Sequence, residues 1–349
     1  MTPYEEDLLQ VSQLDLPWEK LSGSKVLIAG ATGLIGSGMV DALMCNPKRD
    51  YEVYALGRNE ERAKVRFKKY LNDRGFHFIK HNVMQPLQCD DVFDFIIHAA
   101  SGASPNEFAM RPVEVVRSNI EGVVSLMEYG LSHKMKRFLY VSSGEVYGEG
   151  DGRVFTEEYS GYVDCTLPRS CYPSSKRASE TLCVSYAAEY KADVVIARPC
   201  HVFGPFFTEA DNRVYAQFIR NVLNNEDIVL KSTGSQLRNW CYVADCISAL
   251  LYILLKGERS QAYNIANESA SISILELARI IAGIGDKNVV MDIPDEKEKK
   301  GYNVVQESVF STNKIKRLGW YARHDLRTAL ILTIKTEKAN RVSSENISG

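Results

Sequence analysis

The sequence predicts an α/β protein built on a doubly wound parallel sheet, with a smaller lobe near its C-terminus. Short apolar, β-branched runs alternate with longer segments of helical period, which is typical of parallel strands with helices on both faces. The predicted strands are Lys25–Ala29, Tyr51–Leu56, Phe76–Lys80, Phe93–Ala99, Arg137–Ser142 and Asp193–Arg198. The predicted helices include Leu34–Met44, Val113–Ser132 and Ser174–Tyr190, followed after residue 200 by Val214–Asn224 and Ile274–Ala282.

A glycine-rich turn joins the first predicted strand to the first predicted helix. It reads Gly30-Ala31-Thr32-Gly33-Leu34-Ile35-Gly36 and follows Lys25–Ala29 directly. Glycines let the backbone approach a pyrophosphate, and the start of the following helix offers unpaired N–H groups. A tight structural turn alone would not need three glycines. The segment predicts a Rossmann-type dinucleotide site, with Gly30, Thr32, Gly33, Leu34, Ile35 and Gly36 at the cofactor.

The end of the second predicted strand leaves the choice between NAD and NADP open. An acidic residue there would bind the ribose hydroxyls of NAD, but this chain has Leu56-Gly57-Arg58-Asn59. Arg58 either stacks on adenine or meets the 2′-phosphate of NADP, and a surface cation that touches only adenine is the alternative. We expect NAD as the cofactor, with NADP as the alternative.

Composition indicates an ordinary soluble enzyme. Of the 349 residues, 45% are hydrophobic and 25% are charged, and the formal net charge of -2 gives no broad surface for nucleic acid or an anionic membrane. The eight cysteines form no Cys-x-x-Cys pair and the histidines are not spaced as metal ligands, so we predict no metal site and reduced thiols. The acidic N-terminus lacks a signal-peptide profile. We therefore expect a cytoplasmic protein.

A tyrosine and a lysine stand four residues apart in Tyr172-Pro173-Ser174-Ser175-Lys176, where a helix is predicted to begin. At that spacing two side chains share one face of a helix. A neighbouring ammonium favours the phenolate, which makes such a pair a general base for an alcohol. The spacing alone is common, and its value depends on the dinucleotide loop upstream.

Several further stretches carry a family resemblance. They are His98–Pro105, Leu139–Ser143, Pro168–Tyr172, Lys176–Thr181, Gly234–Arg238 and Leu318–Trp320. With the glycine loop and the Tyr-Lys pair, they make the chain resemble the extended short-chain dehydrogenase/reductases that modify nucleotide sugars, the NAD-dependent epimerase/dehydratase family. The resemblance runs from about Gly23 to Trp320, and within the family it is strongest to the UDP-glucuronate decarboxylases.

This resemblance implies both a domain organisation and catalytic roles. Residues 1–22 would form an extension, 23–200 the dinucleotide domain, 201–330 mainly the nucleotide-sugar lobe, and 331–349 a polar tail. Tyr172 would take the proton of a sugar hydroxyl as hydride leaves the same carbon. Lys176 would lower the pKa of Tyr172 and hold the nicotinamide ribose, and Ser143 would donate to the reacting oxygen.

The resemblance also assigns binding residues. Asn119 matches the position that orders the active-site lysine and a water. The other expected cofactor contacts are Asn82, Val83, Ala99, Ala100, Ser101 and Pro199, and Ser104 is expected at the substrate.

Glu145 is the residue that best separates reactions within this family. It lies in Ser143-Gly144-Glu145, where the resemblance implies Thr-Asp-Glu for dehydratases and Thr-Ser-Glu for decarboxylases. Simple 4-epimerases usually carry a small or apolar residue in place of the glutamate. Gly144 removes the acid that would protonate a leaving hydroxyl, which argues against dehydration. A strand-end carboxylate that caps the next turn is the structural alternative for Glu145.

Three basic residues are candidates for the substrate. Arg238 matches the arginine that binds the substrate carboxylate in decarboxylases, a task that suits a guanidinium. Arg213 is a candidate diphosphate ligand, and both arginines have surface ion pairs as their alternative. His201 stands where relatives usually have asparagine, so it either binds the substrate or is a buried structural histidine.

Together these residues predict an enzyme that oxidises C4 of a nucleotide sugar with bound NAD(P), most like a UDP-glucuronate decarboxylase. A 4-epimerase and an NADPH-dependent 4-ketoreductase are the two alternative enzymes, and a non-catalytic nucleotide-binding protein is the third. The resemblance further suggests a homodimer formed through the helices that carry Tyr172 and follow Val113.

Overall fold

The computed structural model describes residues 1–208, 211–292 and 307–348, the last six as backbone alone. Its strands are β1 (Lys25–Ala29), β2 (Glu52–Gly57), β3 (Phe76–Lys80), β4 (Phe95–His98), β5 (Arg137–Val141), β6 (Val194–Pro199), β7 (His201–Phe203), β8 (Ile228–Leu230), β9 (Leu237–Tyr242), β10 (Ala262–Ile265), β11 (Ser271–Ser273), β12 (Val289–Met291) and β13 (Glu307–Ser308). Its helices are α1 (Pro3–Ser12), α2 (Leu34–Met44), α3 (Glu60–Arg66), α4 (Pro105–Met110), α5 (Pro112–Ser132), α6 (Cys171–Glu189), α7 (Val214–Leu223), α8 (Val243–Lys256), α9 (Ile274–Gly285), α10 (Asn313–Lys316) and α11 (Leu326–Ser348).

A seven-stranded parallel sheet forms the centre of the molecule, in the order β3-β2-β1-β4-β5-β6-β10. The strand order reverses between β1 and β4, and ligands of such sheets bind at the carboxyl ends beside that reversal. The predicted fold class is confirmed, and all six predicted strands are present with ends shifted by up to two residues. The seventh strand, β10, was not predicted because its four residues follow a loop without a clear pattern.

Burial on both faces of the sheet explains why its strands are continuously apolar. Val26, Leu27 and Ile28 are each fully buried, although neighbouring side chains point to opposite faces. Val26 and Ile28 pack in one core cluster with residues of α2 and α8, whereas Leu27 packs in another with residues of α5 and α6. The sheet is therefore covered by helices on both sides.

The C-terminal lobe contains a second, smaller sheet. Strands β11, β9 and β13 lie side by side, and β7 pairs in parallel with β9. The two strands β8 and β12 form a separate parallel pair beside α7 and α9. Not all of residues 201–330 belong to this lobe, because α8 packs on α2 and β10 extends the main sheet. The small sheet sets His201 directly beside Trp240.

The chain beyond residue 331 differs from the predicted polar tail. Helix α11 begins at Leu326 and continues through it, with Leu330, Thr333 and Ile334 almost fully buried. Apolar residues recur at helical spacing over this stretch, a signal that the polar composition of the last residues obscured. The N-terminal extension is also part of the fold, since the backbone N–H of Tyr4 donates to Thr336 Oγ1 over 3.4 Å.

The mixed-charge run Asp295–Lys300, which we predicted to be an exposed loop, lies outside the described residues. None of the helices in the described ranges combines the length and the apolar character that crossing a membrane requires.

Candidate active site

The turn after β1 brings the backbone unusually close to a neighbouring strand end. Gly30 has a positive φ of 78°, and a Cβ there would lie 2.6 Å from backbone atoms of Ala100. A Cβ on Gly36, in the first turn of α2, would lie 2.2 Å from the carbonyl oxygen of Gly30. Only glycine fits at either position, so the turn into α2 stays narrow. This is the shape that a bound pyrophosphate needs.

A cleft of about 790 Å³ opens over this turn, at the carboxyl ends of β1, β2 and β4. The predicted cofactor residues that line it are Gly30, Thr32, Gly33, Arg58, Asn82, Val83, Ala99, Ala100 and Ser101. Leu34 and Ile35 instead pack against the core from the first turn of α2. The size and the glycine turn suit a dinucleotide, so these residues fit the predicted cofactor.

Arg58 lies at the adenosine end of this cleft, next to Gly57. Its guanidinium pairs with the carboxylate of Glu114 over 2.8 Å, and Arg111 approaches the same carboxylate at 3.6 Å. The Arg58 side chain is 61% exposed, so the pair is weak and its guanidinium can turn toward a ligand.

Tyr172 lies in the first turn of α6 and is 7% exposed. Its ring packs on Phe108 of α4, with the two ring centroids 4.7 Å apart. The pKa of Tyr172 is raised to about 12, chiefly by burial and also by the Glu145 carboxylate, whereas a hydrogen bond with Ser143 acts to lower it. The phenol therefore lies beside Ser143.

Lys176 lies one helical turn after Tyr172 in α6 and is almost fully buried. Its Nζ lies 5.7 Å from the centre of the Tyr172 ring and donates to the carbonyl oxygen of Val141 over 2.9 Å. Burial lowers the pKa of Lys176 to about 7, so the amine is only partly charged at neutral pH. Burial is the largest influence on the pKa of each of these two groups, and an effect of Lys176 on the pKa of Tyr172 stays a prediction.

Asn119 fixes the start of α6 rather than contacting Lys176 through its amide. Its Nδ2 donates to Ser175 Oγ over 2.9 Å, and its Oδ1 accepts from Ser101 Oγ over 2.7 Å. Because Ser101 lines the dinucleotide cleft, this fully buried amide connects the cofactor site to the residue before Lys176.

Glu145 forms the most specific ion pair of the site. Both of its carboxylate oxygens accept from Nη2 of Arg169 at 2.9 Å, and the Arg169 guanidinium lies over the Phe108 ring at 4.5 Å. The Glu145 N–H also donates to Ser143 Oγ over 3.2 Å, within a short 3-10 turn at Gly144–Tyr147. The Glu145 carboxylate therefore binds a partner 24 residues further along the chain. This ion pair goes beyond the local role of a carboxylate that only caps a turn.

The three basic substrate candidates converge on one side of this site. Burial, and to a smaller extent the positive charges of Arg238 and Arg213, lower the pKa of His201 to about 3. Its imidazole is therefore neutral. Burial lowers the pKa of Arg238 to about 10, an effect that the Glu145 carboxylate partly offsets. Arg213 pairs with Asp211 and donates to the Tyr215 hydroxyl over 3.0 Å.

His201 and its neighbour carry unused polar atoms. The Nδ1 atom of His201 and the Nε1 atom of Trp240 are buried, and neither has a hydrogen-bond partner in the part of the chain that the structure describes. Buried polar atoms without partners are rare and often mark a ligand site. This favours substrate binding by His201 over a purely structural role.

The remaining two predicted residues have structural tasks in this arrangement. Ser104 caps α4, because its Oγ accepts from the Glu107 N–H over 3.3 Å. The Pro199 carbonyl faces Gly144 at the end of β6.

Sequence reasoning missed Arg169, Trp240 and Phe310. Arg169 lies in the Pro168–Tyr172 stretch that carried the resemblance, but nothing local pointed to Glu145 as its partner. Trp240 and Phe310 come from strands and loops of the C-terminal lobe that only the fold brings to the site.

The parallel sheet with its glycine turn, together with Ser143, Tyr172 and Lys176 at the strand ends, defines a dinucleotide-dependent enzyme of the extended short-chain dehydrogenase/reductase class. The chain belongs to the NAD dependent epimerase/dehydratase family, whose model matches residues 26–266.

Its curated relatives include UDP-glucuronic acid decarboxylases. The chain is 32% identical over 317 residues to UDP-glucuronic acid decarboxylase 6 of Arabidopsis thaliana, covering 89% of this chain and 88% of the relative. It is 29% identical over 315 residues to UDP-glucuronic acid decarboxylase 1 of Xenopus tropicalis, covering 89% and 71% respectively.

Solved structures with the same fold include two epimerases. The UDP-N-acetylglucosamine 4-epimerase of Methanobrevibacter ruminantium superposes with a TM-score of 0.79 at 24% identity, covering 91% of this chain and 99% of the other. A UDP-glucuronic acid 4-epimerase variant of Bacillus cereus, solved with NAD, gives a TM-score of 0.78 at 22% identity, covering 90% and 99%.

Proposed function

We propose that this protein decarboxylates a UDP-linked glucuronate through transient oxidation at C4. The observation that supports this most strongly is the carboxylate of Glu145, clamped by Arg169 beside Tyr172 and close enough to Arg238 to offset its burial. The relatives named UDP-glucuronic acid decarboxylases support the same substrate. A buried arginine with a lowered pKa is suited to a substrate carboxylate, because a second anion would compensate its burial.

The chemistry follows from the positions of the side chains. Tyr172 in its phenolate form accepts the C4 hydroxyl proton and returns it when the ketone is reduced, and Ser143 hydrogen-bonds the same oxygen as the ketone forms. A bound dinucleotide supplies an acceptor for the C4 hydride and later a donor that returns it. The 4-ketone is β to the C6 carboxylate, so the C5–C6 bond breaks with release of CO2, and a proton replaces the lost carbon at C5. Arg238 holds the carboxylate in place until that bond breaks.

The test is incubation with UDP-glucuronate and a panel of other nucleotide sugars, with NMR of the product and an assay of CO2. We expect one CO2 for each UDP-pentose and no net change in the dinucleotide. In the Arg238→Met variant the rate of CO2 release should fall by about 100-fold, because hydrogen bonds to charged groups contribute roughly 1.5 to 3 kcal/mol. A 4-epimer formed without CO2 would instead identify an epimerase, and stoichiometric use of NADPH would identify a ketoreductase.

The adenosine end of the cleft bears on the choice of cofactor. We propose NAD, which is present in several solved structures of the same fold. A 2′-phosphate of NADP would meet the Arg58 guanidinium beside Gly57, but also the Glu114 carboxylate that pairs with it. A Cβ at Gly57 would meet Phe78 at 3.7 Å and Thr32 at 3.8 Å, which is ordinary contact, so this site tolerates a side chain.

Gly57→Asp is expected to weaken binding of NADP by at least about tenfold relative to NAD, because the new carboxylate repels the 2′-phosphate and accepts from the ribose hydroxyls. Titration calorimetry with each dinucleotide measures the ratio. Gly57→Asn, which has the same size and no charge, is the control. Equal losses for both dinucleotides, or the same ratio in the two variants, would contradict this reading of the subsite.

The exposed faces near the start of α5 and α6 support a homodimer. Val113 is 70% exposed and Leu167 is 54% exposed, and both border an apolar groove with Val116 and Pro168. Burial of such residues stabilises association. We propose that a second copy of the chain covers them, and sedimentation velocity that shows only a monomer at micromolar concentration would exclude it.

We further propose a cytoplasmic location, which all eight cysteines support by being free thiols.

A further inference from the structure

Gly144 lies between Ser143 and Glu145, and the reason for its missing side chain is visible in the fold. A Cβ at this position would lie 2.3 Å from Cζ and 2.5 Å from Cε1 of Phe310. It would also lie 3.4 Å from the Pro199 carbonyl oxygen on another side. Contacts below 3 Å do not occur between such atoms, so no side chain fits at residue 144 while Phe310 keeps its place.

Phe310 is fixed in this position. The side chain is 1% exposed, and its ring makes edge contacts with Tyr147 and Phe155, each with centroids 5.6 Å apart. Its backbone N–H donates to Oδ1 of Asn239 over 2.7 Å. Asn239 is itself fully buried and follows Arg238 in β9. The ring therefore cannot swing aside cheaply, because the loop and the aromatic cluster both hold it.

We propose that Phe310 determines which reaction follows oxidation, by filling the place of the middle side chain in Ser143-Gly144-Glu145. With the ring there, neither a hydroxyl nor a carboxyl stands between Ser143 and Glu145. Glu145 is then the one carboxylate of this triplet, and no second carboxylate in the triplet competes with it for the Arg169 guanidinium. The triplet then holds no second acid that could protonate a leaving hydroxyl of the sugar. The chemical part of this inference rests on the proposed function, whereas the packing part does not.

Phe310 acts in this scheme as a positioning residue, since its ring contacts the turn that carries Glu145 rather than the reacting atoms. Two consequences follow from the geometry. A side chain at residue 144 displaces either the ring or the turn, and shortening Phe310 creates room for that side chain. The two positions are thus coupled, and the double variant should lose less than the sum of the losses of the two single variants.

The test compares the parent with Gly144→Ser, Phe310→Ala and the double variant. We expect G144S to lower kcat at least about tenfold and to lower the urea midpoint, and F310A in the same chain to restore kcat to within about threefold. F310A alone should raise the share of 4-keto product that escapes before reduction, with the Kd for the dinucleotide unchanged. A structural role alone would lower all of these together.

Phe155→Ala provides the matched control. It removes a second phenylalanine ring from the same cluster, but that ring does not border Gly144. It should cost stability but fail to rescue G144S. The proposal is overturned if G144S is as stable and active as the parent, or if F155A rescues it as well as F310A does. The double-mutant cycle of urea unfolding needs no substrate. If it shows coupling of stability between residues 144 and 310 but no CO2 is released, the proposed reaction is refuted and the packing of Gly144 against Phe310 still stands.

Discussion

Replacing Tyr172 with phenylalanine is expected to lower turnover by about a thousandfold or more and to leave dinucleotide binding unchanged. The substitution removes the phenol oxygen that takes the C4 proton, and general base catalysis contributes roughly 10² to 10⁴ in rate. The ring itself stays, so its packing on Phe108 and its near-complete burial are retained. The measurement is kcat for release of CO2, together with the Kd for NAD.

The Glu145 carboxylate offers a second readout of the same base. Together with burial, which has the larger effect, it raises the pKa of Tyr172 to about 12. Glu145→Gln removes that negative charge, so the pKa of the phenol should fall and the ionised fraction should increase at every pH below it. Single-turnover oxidation of C4 should then show its alkaline rise at lower pH. Residual turnover above a tenth in Y172F, or an unmoved pH profile in E145Q, would contradict the assignment of the base.

Local patterns sufficed to predict the sheet and the dinucleotide turn. Gly30 and Gly36 act within a few residues of a strand and a helix, so their spacing alone carries the geometry. The Tyr-Lys pair was also correctly placed in the first turns of a helix. What the spacing did not reveal was burial, which raises the pKa of Tyr172 and lowers that of Lys176.

Long-range contacts account for the parts of the site that the sequence did not reveal. The clamp of Arg169 on Glu145 and the ring of Phe310 against Gly144 join segments that only the folded chain brings together. From the sequence alone, Gly144 indicated only the loss of the serine hydroxyl that the resemblance to decarboxylases implies at this position. The fold gives it a partner and makes it one half of a packed pair.

Replacing Lys176 with methionine is expected to have two opposite effects, a loss of turnover of about 100-fold or more and a gain in stability. A lysine with a pKa of about 7 in the folded protein and about 10.4 in the unfolded chain lowers stability near pH 7 by on the order of 4 kcal/mol. Methionine loses the hydrogen bond to Val141, which costs about 1 kcal/mol. The net gain in the free energy of unfolding at pH 7 is therefore roughly 3 kcal/mol.

The pH dependence separates this effect from a general change in packing. Between about pH 7 and pH 10 the unfolded chain binds the Lys176 proton and the folded chain does not, so the stability of the parent rises with pH across that window. K176M lacks this slope, and its advantage over the parent should shrink toward pH 10. Urea unfolding at several pH values measures both, with exposed Lys68→Met as the control for losing one charge. A variant that is less stable than the parent at pH 7 would contradict this description of Lys176 as a buried and only partly charged amine.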